Sequence, residues 1–137
     1  MDVLLAIADD DLREALTFVL EDAGCEVTAM NRRLTVVTGQ PWSTPSVIVV
    51  LDAHLDEAAM IRLFEAALAD GGWRCYRFVI LTTLGPEHWP ETLARFVRRE
   101  HAPVLQLPAE LGLLVPTLWR LQATQRPTLT SCGAGSP

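Results

Sequence analysis

A chain of 137 residues is one domain long, enough for a single core that buries roughly two-thirds of the unfolded surface. Half of the residues are hydrophobic and a fifth are charged, the balance of a packed globular protein and not of a disordered one. The net charge is −6 and all eleven cations are arginines; an acidic chain without a basic stretch has no source of phosphate neutralisation or steering, which argues against direct binding of nucleic acid or an anionic membrane.

Val3 to Ala8 is a continuous apolar run of strand length, suited to a strand buried on both faces of a parallel sheet. With Asp2 directly before it, the run does not resemble the h-region of a secretory signal. No apolar run approaches membrane-spanning length, so a cytoplasmic location is expected. Asp9, Asp10 and Asp11 come next, and aspartate favours a helix start through its side-chain acceptor and its charge. Leu12, Ala15, Leu16, Val19, Leu20 and Ala23 then recur at helical spacing, with Gly24 where a helix would end. Cys25 to Met30 reads as a second, shorter strand.

Between Asn31 and Thr44 the pattern weakens; a short helix is expected over about Arg32 to Val37, then a loop broken by Gly39, Pro41 and Pro45. Val47 to Leu51 is the clearest strand, and it ends on Asp52. Asp56 opens an alanine-rich helix through Ala69, closed by Asp70-Gly71-Gly72. Arg77 to Leu81 forms a fourth strand that finishes in Thr82-Thr83, and Gly85-Pro86 turns the chain. Pro90 suits the first turn of a helix running to about Glu100. Pro103 to Gln106 is a short fifth strand, and a last helix runs from Gly112 to about Thr124 with Pro116 near its start. The domain is placed at 1–123; residues 124–137, rich in Thr, Pro, Gly and Ser, are expected to be a flexible tail or linker stub.

Five strands alternating with helices imply an α/β fold with a parallel sheet, because right-handed crossovers put helices on both faces. In such sheets functional groups gather at the carboxyl ends of the strands, where Asp9, Asp52, Thr82 and Leu107 all fall.

From Val3 to about Ala123 the chain resembles the CheY-like receiver domains of bacterial response regulators. The residues that carry the resemblance are Asp9-Asp10-Asp11-Leu12-Arg13 leading into a helix, Ala23-Gly24-Cys25-Glu26-Val27, and Val49-Val50-Leu51-Asp52-Ala53-His54-Leu55. Val79-Ile80-Leu81-Thr82 and Leu105-Gln106-Leu107-Pro108 complete the set, in the family's order and spacing. The resemblance implies a flavodoxin-like (βα)5 three-layer sandwich with parallel strands in the order 2-1-3-4-5. It also implies that Asp52 takes the place of the phosphoacceptor, Thr82 that of the hydroxyl residue contacting the phosphoryl group, and Leu107-Pro108 that of the Lys-Pro pair.

Carried over position by position, much of the family's chemistry is missing. The acid pair that holds Mg²⁺ matches Ile7 and Ala8, and Asp9 lies one residue further along. A one-residue displacement turns a side chain away from where its neighbour points, although Asp9 together with Asp52 is the metal seat to be considered if Mg²⁺ binds. Leu107 cannot supply charge to an acyl phosphate, and with no lysine anywhere no shift of alignment restores it. Val104 stands at the switch-aromatic position, Thr83 where a small residue is usual, and Met60 where a glycine commonly follows the phosphoacceptor loop.

The expectation is therefore a pseudo-receiver, not an enzyme, that signals through a protein partner or a second copy docking on its fourth-helix, fifth-strand and fifth-helix face. Trp89 and Trp119 lie near that face, and large aromatics commonly anchor interfaces. No cofactor is expected, with Mg²⁺ relevant only if Asp52 is phosphorylated. The alternatives are a divergent receiver still phosphorylated on Asp52, and an unrelated flavodoxin-like binding domain. Neither a Gly-rich phosphate loop nor a nucleophile elbow appears, so no small-molecule substrate is expected. His54 reads as a loop residue, His88 and His101 have no matching ligands nearby, and Cys25, Cys75 and Cys132 lack the spacing of a metal or redox motif.

Overall fold

The computed structural model describes residues 1–31, 36–38, 46–69 and 75–123. Its strands are β1 (Asp2–Ala6), β2 (Glu26–Met30), β3 (Val36–Thr38), β4 (Ser46–Asp52), β5 (Cys75–Thr82) and β6 (Val104–Gln106). The helices are α1 (Asp10–Asp22), α2 (Glu57–Ala69), α3 (Glu91–Glu100) and α4, which spans 114–123. Short 3₁₀ turns at Pro86–His88 and Leu111–Leu113 precede α3 and α4.

One sheet holds all six strands in the order β3-β2-β1-β4-β5-β6. The five strands β1, β2, β4, β5 and β6 are mutually parallel, in the order 2-1-3-4-5 expected of a flavodoxin-like α/β domain. The expected helix over Arg32 to Val37 requires correction. Val36 and Val37 belong to β3, which adds antiparallel to the outer edge of β2 with an irregular register at Ala29 and Met30. β-branched residues pack readily on a pleated surface, and the open edge of β2 supplied a partner. Arg32 to Thr35, the loop through Pro45, Asp70-Gly71-Gly72 and the tail from Thr124 lie outside the described residues.

Alternation along each strand splits the interior into two layers. Val3 and Leu5 of β1, Ile48 and Val50 of β4, and Val79 and Leu81 of β5 meet Leu16 and Leu20 of α1 and Leu114 and Leu118 of α4. On the opposite face Leu4, Ala6, Val47, Val49, Leu51 and Ile80 meet Met60 and Leu63 of α2 and Leu93 of α3. Phe64, Phe78 and Phe96 close that layer, with Phe64 stacked on Phe96 at 4.1 Å between ring centroids and Phe78 edge-on to both. β1 and β4 are thus covered on both faces, which is why their sequences are unbroken apolar runs.

Local signals set the helix ends. Asp9 is the N-cap of α1, its Oδ1 accepting the Leu12 amide at 2.9 Å. At the other end Gly24 takes a left-handed φ of 92°. The Gly24 amide donates to the Glu21 carbonyl and the Cys25 amide to the Leu20 carbonyl, the paired bonds of a Schellman close. Among the described residues no helix is long and apolar enough to cross a membrane.

Leu118→Ala, at a side chain with no exposed area, is expected to destabilise the fold by about 2–5 kcal/mol. Phe18→Ala, at a residue 73 % exposed on α1, should stay within about 0.5 kcal/mol. Urea unfolding midpoints at unchanged m-value measure both. Burial holds the Cys25 thiol above its ordinary pKa, with the N-terminal ammonium pulling weakly the other way. The stabilisation linked to this raised value is whole below the unfolded-chain pKa and is lost as pH climbs through the folded one. Stability should therefore fall with pH in the alkaline range, and Cys25→Ala should flatten that slope in denaturant titrations across it.

Candidate functional site

The carboxyl ends of β1, β4, β5 and β6 meet around a cleft of about 410 Å³. Ala8, Asp9 and Leu12 form the wall on the α1 side, Asp52 the floor, and Leu81, Thr82 and Leu107 the wall on the β5 and β6 side. His54 and Thr83 stand at the rim, where both are exposed. Of the residues singled out from sequence, Asp9, Ala8, Asp52, Thr82 and Leu107 are brought together here. Ile7 is not, because it is fully buried in the layer under α1. Val104 packs instead against the layer under α2 and α3, and Pro108, joined to Leu107 by a cis peptide bond, is exposed beside the cleft.

Asp52 is the last residue of β4 and only 4 % exposed. Its Oδ2 accepts the Ala8 amide at 3.0 Å and its Oδ1 accepts the His54 amide at 2.8 Å. The first bond fastens the exit of β1 to the tip of β4; the second shapes the turn that leads to α2. A buried carboxylate has to find donors, and here the backbone supplies one to each oxygen. The strand register continues past the tips, with the Ala53 amide donating to the Leu81 carbonyl and the Leu107 amide to the Thr82 carbonyl. That last bond holds the Leu107 backbone beside Thr82.

Thr82 is 1 % exposed, and its hydroxyl is engaged within its own loop. The Oγ1 donates to the Leu84 carbonyl at 3.1 Å and accepts the Leu84 amide at 2.8 Å. The Leu84 carbonyl also accepts from the Trp89 indole N–H at 3.2 Å and from the Gln106 side-chain amide at 3.4 Å. One backbone oxygen therefore ties the loop after β5 to the start of α3 and to β6.

Among the described residues no Arg or Lys lines the cleft. Arg13, a buried arginine on α1, pairs with Asp10 at 2.7 Å and reaches the Ile7 carbonyl at 3.5 Å. Asp9 lines the cleft, but one of its oxygens is committed to capping α1. Among the described residues no group of three His, Cys, Asp or Glu side chains is placed to hold a metal ion. Sequence reasoning missed the rim contact between His54 Nε2 and Thr83 Oγ1 at 2.7 Å. It also missed the Leu84 carbonyl as a meeting point and Leu12 and Leu81 as walls. Only the hydroxyl pair Thr82-Thr83 gave any hint of these.

Comparison with protein-family models finds no family that matches this chain, and no curated protein matches it either.

Asp9→Ala is expected to cost about 1 kcal/mol through loss of the α1 cap. Trp89→Phe should cost less, about 0.5 kcal/mol, because the Leu84 carbonyl keeps two other donors and is not orphaned. Equilibrium unfolding of the two variants checks the order.

Proposed function

We propose that this chain is a receiver-like signalling module that works in the cytoplasm by protein–protein binding, without conventional phosphotransfer. The observation that carries the reading is a single one: a buried Asp52 at the tip of a central parallel strand, in a cleft where Leu107 stands in place of a cation. Phosphoryl transfer to a carboxylate depends on positive charge gathered around the transferring group. Here the acid-pair positions are Ile7 and Ala8, the charge-bearing position is leucine, and the Thr82 hydroxyl is bonded both ways to Leu84.

Binding is favoured by what the scaffold keeps. The family's fourth helix, fifth strand and fifth helix correspond to α3, β6 and α4. β6 is an edge strand, and close to it in the chain Leu113 is 50 % and Trp119 44 % exposed. An edge strand flanked by exposed large apolar side chains suits a partner or a second copy.

The test has two arms. Incubation of the full chain with acetyl phosphate and Mg²⁺, read by intact mass, is expected to give no phosphorylated species. Uptake that disappears in Asp52→Asn would instead establish the divergent-receiver reading. In sedimentation velocity over a concentration series, self-association is expected, weakened by about 2 kcal/mol or more in Trp119→Ala. A chain that stays monomeric and captures no partner overturns the binding reading.

A further inference from the structure

We infer that the cleft above Asp52 is a binding site for a small primary ammonium ion on a short apolar stem, with Asp52 as its counter-ion. This rests on the chemistry of the cleft alone and does not require the receiver reading.

The sign of the ligand follows from the walls. Two carboxylate residues, Asp52 and Asp9, line the cleft, and among the described residues neither Arg nor Lys lines it. The chain as a whole carries −6, so no long-range field draws an anion toward it. A phosphate or carboxylate ligand would meet like charge at close range in a partly desolvated site, where repulsion is strongest.

Burial makes the need for a cation acute. Asp52 is 4 % exposed, and among the described residues its hydrogen-bond partners are two uncharged backbone amides, those of Ala8 and His54. A carboxylate offers about four acceptor sites, so each oxygen keeps capacity for one more donor after accepting its amide. An ammonium group brings three donors and the missing charge together, and charge-assisted bonds of this kind are about twice as strong as neutral ones. The Thr82 hydroxyl, closed on Leu84, does not compete for those positions.

The rest of the wall decides between an organic cation and a hydrated metal ion. Ala8, Leu12, Leu81 and Leu107 present hydrocarbon. Mg²⁺ demands near-octahedral oxygen coordination and gives up water reluctantly, and no three-ligand cluster exists among the described residues. A methylene stem gains from contact with these same side chains. At about 410 Å³ the cleft lies toward the lower end of ligand sites, which span about 300–1,000 Å³, so a small molecule fits it better than a large one.

The experiment is a ¹H–¹⁵N titration of the full chain with n-butylammonium chloride, beside n-butanol, sodium butyrate and MgCl₂. Saturable shifts are expected at the amides of Ala8 and His54, which donate to Asp52, and at Leu107. Binding should weaken roughly tenfold or more in Asp52→Asn, the loss of a charged hydrogen-bond partner. Leu107→Lys, which tethers an ammonium in the cleft, should abolish it. No saturable shift at those amides overturns the inference. So does equal binding of n-butanol, tighter binding of butyrate or Mg²⁺, or undiminished n-butylammonium binding in Leu107→Lys. If Asp52→Asn fails to fold, the Leu107→Lys comparison decides alone. Acetyl phosphate uptake bears on the proposed function and leaves this result standing, so the two ideas fail separately.

Discussion

The double-sided burial of β1 and β4 governs everything else in this molecule. Val3 to Ile7 and Val47 to Leu51 have almost no exposed surface, and neither strand could exist without a helical layer on each side. That requirement forces crossover connections, and crossovers run all five long-range strands in one direction. Their carboxyl ends therefore arrive together, and the loops that leave them enclose a cleft. Asp52 inherits its place from this geometry: it is where a fully apolar strand stops.

What the cleft can do then depends on how one carboxylate is compensated. Two backbone amides, from Ala8 and His54, give each of its oxygens one donor but bring no net charge. A tethered cation would convert the site to anion chemistry; a leucine at position 107 leaves it acidic and partly hydrocarbon. Charge sign, more than shape, separates this cleft from one built to stabilise a phosphoryl group. The same reasoning links the proposed binding role and the inferred ammonium site without making either a premise of the other.

A second feature gives the site a mechanical neighbour. The Leu84 carbonyl receives donors from Thr82, Trp89 and Gln106, so the loop beside the cleft is held by residues from the start of α3 and from β6. Such a shared acceptor lowers the consequence of losing any single donor while keeping three elements in register. Gln106, one of these donors, belongs to β6, the strand at the edge of the sheet.

Much of this was legible in the amino-acid order. The runs Val3 to Ala8 and Val47 to Leu51, the helical spacing from Leu12 to Leu20, the aspartate before α1 and the glycine after it are local signals with local causes, and the parallel sheet and its tip residues follow from them. β3 was not legible, because Val36 and Val37 became a strand only by pairing with an edge contributed from elsewhere. Nor were the Ala8 amide on Asp52, the His54–Thr83 contact or the Leu84 carbonyl, since backbone groups leave no mark in sequence and the partners are far apart along the chain. Sequence by itself determined which segments had to be buried and which charges were absent. Tertiary structure decided which atoms face one another across the cleft, because that depends on the register of strands and the exit angle of loops, neither of which any single segment contains.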